Sequence, residues 1–345
     1  MATANNIKLN KRKCQSGMDS LEFALVLEGM DNISFDETAL SNKAQQQKSI
    51  VTIKCIGGRI SGSVNAVHCI RDTNEKPFTL IDGIHMELVR CQVFEYIREC
   101  LKRHMQGQYS EKFIDNLKVT SLEVNITLPC VGKATPSDMV HLFDSVFDKT
   151  NVYRERKAGS RCEKVNTGVV YDKKHQYQVK IYDKAKDLHR QGILNVEKKL
   201  FRLEVVFKDR KLDVMFGKEK RTLDNVLSVK ALNVMCREYK TVMDELVAQH
   251  IRPYWDNCVE TLFESLTYSD KSNAIADTVM RYKEIIVDTQ CLRKALHKWY
   301  EWRQKYEDPN IVDRTDEMIY KYRKKDLGLP DDVLKTLEAF HLAAG

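Results

Sequence analysis

The sequence predicts an α+β fold, a mainly antiparallel sheet with helices on one face, followed by an all-helical C-terminal region. Three observations carry this. Short apolar runs bounded by turn residues alternate with helix-periodic segments as far as Phe207. Beyond Thr222 helical periodicity dominates and glycines are few. Hydrophobic residues make up 43% of the 345 and charged residues 30%, a balance that supports a packed core and excludes a disordered chain.

The elements follow in order. Residues Leu21 to Leu27 alternate weakly, as a half-buried strand does. Ser49 to Ile56 and Val64 to Ile70 read as strands joined through the glycine turns of IGGRISGS. Leu88, Val89, Val93, Tyr96, Ile97 and Leu101 recur at helical spacing and predict a helix from Met86 to Met105. Val119 to Leu128 is a strand stopped by Pro129, and Ser137 serves as N-cap of a helix through Phe147. Thr167 to Tyr171 and Tyr177 to Tyr182 flank the turn DKKH as a hairpin. A short helix and the strand Lys199 to Phe207 come next.

The charged stretch at residues 210 to 222 marks the boundary between residues 1–215, the α+β domain, and residues 216–345, the helical region. Helices are expected over 222–248 and 256–305, with a last pair at 314–323 and 330–341. The ending HLAAG reads unlike a finished cap, as expected of a longer parent protein or of a truncated chain.

Composition excludes several classes. No run approaches the length of apolar residues that spans a membrane, and MATANNIKLNKRKC lacks a secretory leader's apolar stretch. The ten cysteines are scattered singly, without a CxxC pair, which predicts reduced thiols in a cytosol. Cys55 and Cys69 fall in strand-like runs where a thiol packs as a small hydrophobe. The excess of 56 basic over 49 acidic residues is mild. It concentrates in RERKAGSRCEK, which holds Arg154, Arg156 and Lys157, and in KYRKK from Lys321 to Lys325. Such patches fit DNA phosphates or a solvated face.

Three strands carry polar groups where a plain core would not. In SLEVNITL, Glu123 and Asn125 share a face opposite Leu122, Val124 and Ile126; in FRLEVVFK, Arg202 and Glu204 do the same; in YQVKIYDK, Lys180 and Tyr182 do so, with Lys184 following. If the strands are neighbours, two carboxylates, a phenol and an amine converge. That set suits cleavage of a phosphodiester through a covalent intermediate. Carboxylates hold Mg²⁺ or Mn²⁺, the cation polarises the phosphate, and a tyrosine attacks. The plainer reading is a cross-strand pair of Glu123 with Arg202 and a packed Tyr182.

These segments, in this order, resemble the rolling-circle replication initiators of filamentous phages and related plasmids, the gene two product family. The matching residues are Ser121-Leu122-Glu123, then Tyr182-Asp183-Lys184 with Asp187, then Arg202-Leu203-Glu204, preceded by the glycine-containing Ile53 to Val67. The likeness covers roughly residues 49 to 250. It implies a nickase of the bacterial host cytoplasm that cleaves and rejoins one strand at an origin, with DNA, host polymerase and helicase as partners. Tyr182 would be the nucleophile and Lys184 would assist at the phosphate. Glu123 and Glu204 would ligate Mg²⁺ or Mn²⁺, and Arg202 would orient them or bind backbone phosphate. Lys180, Arg154, Arg156 and Lys157 would join Arg202 in binding DNA.

The sequence departs from the family at Glu123, where aspartate is usual. It also lacks the His-hydrophobe-His pair of the broader superfamily; His85-Met86-Glu87 is the nearest imitation and reads as a helix entry. Tyr171 and Tyr177 are rival nucleophiles, Tyr171 having Lys174 close by. Trp299, Tyr300, Trp302 and Tyr306 among basic residues suit either DNA contact or a packed face. Leu292 to Tyr306, Asp308-Pro309 and Arg314 to Lys325 offer a helix-turn-helix. Two other readings stay open: a non-catalytic DNA-binding regulator of the same fold, and a phage structural protein.

Overall fold

The structure, a computed structural model, describes residues 17–40, 49–70, 83–147, 152–153, 168–173, 176–190, 199–269, 273–286, 288–324 and 329–343. Nine strands form one sheet: β1 (Gly17–Val26), β2 (Phe35–Leu40), β3 (Ser49–Ile56), β4 (Arg59–Asn65), β5 (Lys118–Pro129), β6 (Val152–Tyr153), β7 (Gly168–Lys173), β8 (Tyr177–Asp183) and β9 (Leu200–Lys208). Their order is β2-β3-β4-β1-β5-β9-β8-β7-β6, and every pairing is antiparallel. The sheet therefore has a β-meander on one side, and β5 and β9 lie at its centre.

The period-two alternation seen in the sequence sets the two faces. Leu122, Val124 and Ile126, Val179 and Ile181, and Phe201, Leu203, Val205 and Phe207 are buried on one face. Helices cover it. The helices of this part of the chain are α1 (Ala66–Ile70), α2 (Gly83–Met105), α3 (Glu111–Asp115), α4 (Pro136–Val146), α5 (Lys184–Arg190), α6 (Asp209–Phe216), α7 (Leu223–Val226) and α8 (Val229–Leu246); α2, α4 and α8 lie against this face, whereas α5 carries Lys184 to the polar side. Phe143 of α4 stacks at 6.5 Å on Phe201, and the Tyr239 hydroxyl of α8 donates to the Leu203 carbonyl at 3.0 Å. Ala231, Met235, Tyr239, Val242 and Leu246 recur every three or four residues, so α8 lays one stripe on the sheet.

The wide π-turn Val247–Ile251 continues α8 into α9 (Arg252–Tyr268) without a loop. The Arg252 N–H bonds back five residues to the Val247 carbonyl, and Pro253, which has no N–H to give, follows immediately. Then come α10 (Ala274–Tyr282), α11 (Thr289–Tyr306), α12 (Thr315–Lys324) and α13 (Val333–Ala343). Phe340 of α13 meets Phe201 edge-on at 4.9 Å, so the last helix returns to the sheet. Among the described residues no strand follows β9, and no helix is long and apolar enough to cross a membrane.

Three sequence expectations are corrected. The run expected as a strand from Val64 to Ile70 is the end of β4 and then α1; five apolar-rich residues fit either period, and packing of Ala66 and Val67 into the core decides for the helix. Cys69 is thus buried on a helix, whereas Cys55 is buried on β3; both are free thiols. The N-cap of α4 is Thr135 and not Ser137: Thr135 and Asp138 form a capping box, with Pro136 preset for the first turn. Of the two readings of the α11 aromatics, the packed face holds for Trp299 and Tyr300, which are buried in the helical core, while Tyr306 is exposed and Trp302 half-buried. Finally, α11 and α12 are separated by residues 307–314, longer than the three or four residues that usually turn a helix-turn-helix.

Candidate active site

The face of the sheet opposite the main core carries the polar groups. Register fixes them in two rows. Asn125, Glu204 and Lys180 are cross-strand neighbours on β5, β9 and β8; Thr127, Arg202 and Tyr182 form the next row. Glu123, opposite Val206, stands on β5 two residues before Asn125, on the same face. Tyr182, Glu204 and Glu123 therefore share one surface because their strands sit side by side and their spacing is two.

The contacts are dense. Lys180 reaches over β9 and places its Nζ 2.6 Å from Glu123 Oε2 and 3.5 Å from Glu204 Oε2. The Tyr182 hydroxyl donates to Glu204 Oε1. Arg202 donates from Nε to Thr127 Oγ1 at 2.7 Å and from Nη1 to Asp19 Oδ2 at 3.0 Å and Glu204 Oε1 at 3.4 Å. The expected pair of Glu123 with Arg202 is not what forms. Glu123 pairs with Lys180, while Arg202 is spent on Asp19, Thr127 and Glu204.

Asp19 is the residue that sequence reasoning missed. β1 and β5 shift register between Met18 and Ser20, so Asp19 is an extra residue opposite β5. A bulge of this kind re-aims a side chain. The signal in the sequence was an acidic residue two before Leu21, at a point read as preceding the strand. One carboxylate oxygen each of Asp19, Glu123 and Glu204 lie within 4.8 Å of one another.

Burial governs the electrostatics. Arg202 and Glu204 are 6% and 4% exposed, so neither can rely on water. Burial, then the neighbouring Glu204, pushes the Glu123 carboxyl up to about 7. For Lys180 burial pulls down, but Glu123 and Glu204 outweigh it and hold the ammonium above its usual range. Burial and then Glu204 raise the Tyr182 phenol well above its usual value. Lys184 goes the other way, lowered by burial and by Arg202. Asp19, Glu123 and Glu204 are three carboxyl groups against the two cations Lys180 and Arg202, and the raised Glu123 carboxyl relieves the excess negative charge by holding a proton.

The segment after Tyr182 turns Lys184 back toward it. Asp183 accepts from the Lys186 N–H at 3.0 Å and so caps the start of α5. Lys184 then lies with Nζ 5.6 Å from the centre of the Tyr182 ring, paired with Asp187. Close approach of β7 holds the other side. Gly168 is opposite Tyr182, and a Cβ there would fall 2.2 Å from the Ile181 carbonyl and 2.7 Å from Tyr182 Cβ.

Tyr171 and Tyr177 are not brought to this cluster. Tyr177 alternates with Tyr182 along β8 and is buried on the helix-covered face; Tyr171 pairs with Val179 and stacks on Phe147 at 4.6 Å. His85 belongs to α2, as an ordinary helix residue. Arg154, Arg156 and Lys157, and Lys174 beside Tyr171, lie outside the described residues.

The donor set fits a hard divalent cation, because oxygens of three carboxyl groups converge within 4.8 Å. It also fits proton transfer from a phenol to a carboxylate. No protein-family model matches the sequence, and no curated protein matches it. The structure of a rolling circle replication initiator protein from Geobacillus stearothermophilus is similar to this chain at a TM-score of 0.29 and 14% identity, over 68% of this chain and 84% of that one.

Proposed function

We propose that the chain initiates rolling-circle DNA replication by nicking and rejoining one origin strand through a tyrosyl–DNA intermediate on Tyr182. The observation that supports it is the hydrogen bond from the Tyr182 hydroxyl to Glu204, beside two further carboxylates and Arg202. In the nicking step the Tyr182 oxygen bonds to phosphorus and the bond to the 3′ oxygen breaks. The phenol proton passes to Glu204, which already accepts it in the ground state. Lys184, held below an ordinary lysine and near the Tyr182 ring, assists at the phosphate and protonates the departing 3′ oxygen.

Asp19, Glu123 and Glu204 would hold Mg²⁺ or Mn²⁺, which supplies charge stabilisation on the phosphate oxygens. Arg202 orients Asp19 and Glu204 through Nη1 and Thr127 through Nε. Rejoining is the reverse transesterification, with a 3′ hydroxyl displacing Tyr182. On this reading residues 1–215 carry the chemistry and residues 216–345 contact DNA, with a host polymerase and helicase acting after the nick.

A second reading has its own observation. Lys180 pairs with Glu123 and Glu204, and Arg202 with Asp19 and Glu204, so the protein's own cations already occupy the cluster, as a DNA-binding regulator without cleavage would need. One experiment separates them. The full chain is incubated with Mn²⁺ and supercoiled or single-stranded circular DNA carrying its own gene neighbourhood, beside Tyr182→Phe. Nicking with a covalent protein–5′ DNA adduct, lost in the variant, is the expected result. Origin binding without metal-dependent cleavage would favour the regulator.

A further inference from the structure

A second group of metal-ligating side chains lies on the other face of the sheet, at its β2 edge. Cys100 and His104 are four residues apart on α2 and so project from the same side of the helix. Glu37 meets them from β2. One ligand atom of each lies within 4.8 Å of the others, and His104 Nε2 is 2.5 Å from Glu37 Oε1. The Cys100 residue is wholly buried, while Glu37 and His104 keep 20% and 30% of their side-chain surface open to solvent.

We propose that Glu37, Cys100 and His104 bind zinc, clamping the edge strand β2 to the last turn of α2. The donor set separates this site from the carboxylate cluster. Sulfur and imidazole suit zinc, whereas an all-oxygen set suits magnesium or manganese. Around a tetrahedral zinc, with bonds of about 2.0–2.3 Å, ligand atoms stand roughly 3.3–3.8 Å apart. The three atoms lie within 4.8 Å of one another, and Glu37 and His104, now in direct contact at 2.5 Å, part by about 1 Å to admit the ion. As the ion enters, the Cys100 thiol gives its proton to solvent and its sulfur bonds to zinc; a water completes the fourth position through the open side.

The surroundings fit ligands held in place. Phe35 stacks on the His104 ring at 4.6 Å and 13°, which fixes its plane. Arg103 donates to both oxygens of Glu37, at 2.8 and 2.9 Å, and so orients the carboxylate from outside the cluster, as partners of metal-bound carboxylates do. The site would also guard the sheet. β2 is an edge strand, with one side of its backbone open to further pairing, and a metal staple holds it against the helix.

The test uses the full chain, freed of metal with a chelator and titrated with Co²⁺. The expected result is a thiolate-to-cobalt absorption band that Zn²⁺ abolishes by displacement. Cys100→Ser removes the band, and His104→Gln weakens cobalt binding by at least about tenfold. Cys91→Ser, at an exposed thiol of the same helix, leaves both unchanged. Cobalt held by Asp19, Glu123 and Glu204 gives no sulfur band, so the two sites are read apart. Absence of the band in the wild-type chain, its survival in Cys100→Ser, or undiminished binding in a folded His104→Gln would overturn the proposal.

Discussion

Lys180 donates to Glu123 at 2.6 Å although β8 and β5 are not neighbours; its side chain spans β9 to get there. The ammonium stands among the carboxylate oxygens that a divalent cation would need. Entry of a cation therefore requires Lys180 to give up Glu123 and Glu204.

Lys180→Met should bind Mn²⁺ more tightly than the wild type, by about tenfold or more, because a competing charge is removed from low-dielectric surroundings. Titration followed by the Mn²⁺ electron paramagnetic resonance signal measures this directly. Equal affinity in the two proteins would show that Lys180 and the cation do not compete.

Arg202 is a matter of stability before chemistry. Arg202→Met leaves Asp19 and Glu204 buried without their shared cation, which should cost about 3–5 kcal/mol. Arg202→Lys keeps the charge but loses the Nε contact to Thr127, and should recover most of that while remaining about 1 kcal/mol short. Urea unfolding of the three proteins checks the order. A Met variant as stable as the wild type would mean that water already screens these carboxylates.

Glu123 makes stability depend on pH in a stated direction. Its folded pKa, about 7, lies above the unfolded reference of 4.5, so the folded chain holds an extra proton between these values. The stabilisation from this group is full below about pH 4.5 and is lost as pH rises to about 7. Glu123→Gln cannot lose that proton. Its melting temperature relative to wild type should rise from about pH 5 to about pH 8 and then level off. Thermal melts at several pH values test this; a difference independent of pH would count against a raised Glu123.

Gly168→Ala should disturb Tyr182 without touching it chemically. The added methyl overlaps the Ile181 carbonyl and Tyr182 Cβ, so β7 and β8 must part slightly, at about 1–3 kcal/mol. Reduced adduct formation by a folded variant is the expected outcome. Full activity at unchanged stability would show that β7 gives way freely.

Much of the fold was readable, for physical reasons that also explain the gaps. Ser49 to Ile56 was bounded correctly because its alternation ends at two glycines with positive φ, Gly57 and Gly58. The same-face sets on β5, β8 and β9 follow from period two, so Glu123, Glu204, Lys180 and Tyr182 could be named before any coordinates. Strand order could not be, because nothing local says that β9 inserts between β5 and β8. Asp19 was hidden by a bulge, which breaks the alternation that would have announced it. Likewise the Cys100 and His104 spacing was visible on α2, but Glu37 joins them only through tertiary folding.

The π-turn between α8 and α9 carries a consequence for the whole helical region. Successive residues of an α-helix are rotated by about 100°, and a π-turn is one residue wider than an ordinary turn. A single residue within Val247–Ile251 thus decides the azimuth of α9 relative to α8. The helix α8 is fastened to the sheet through Tyr239, whereas α9 is the surface on which α10 and α11 pack. Deleting one residue there would turn α9 about its axis relative to α8, against the hold of α13, whose Phe340 is packed on Phe201 of the sheet. The angular phase of α9 against the sheet-bound α8 is in this sense written into five residues.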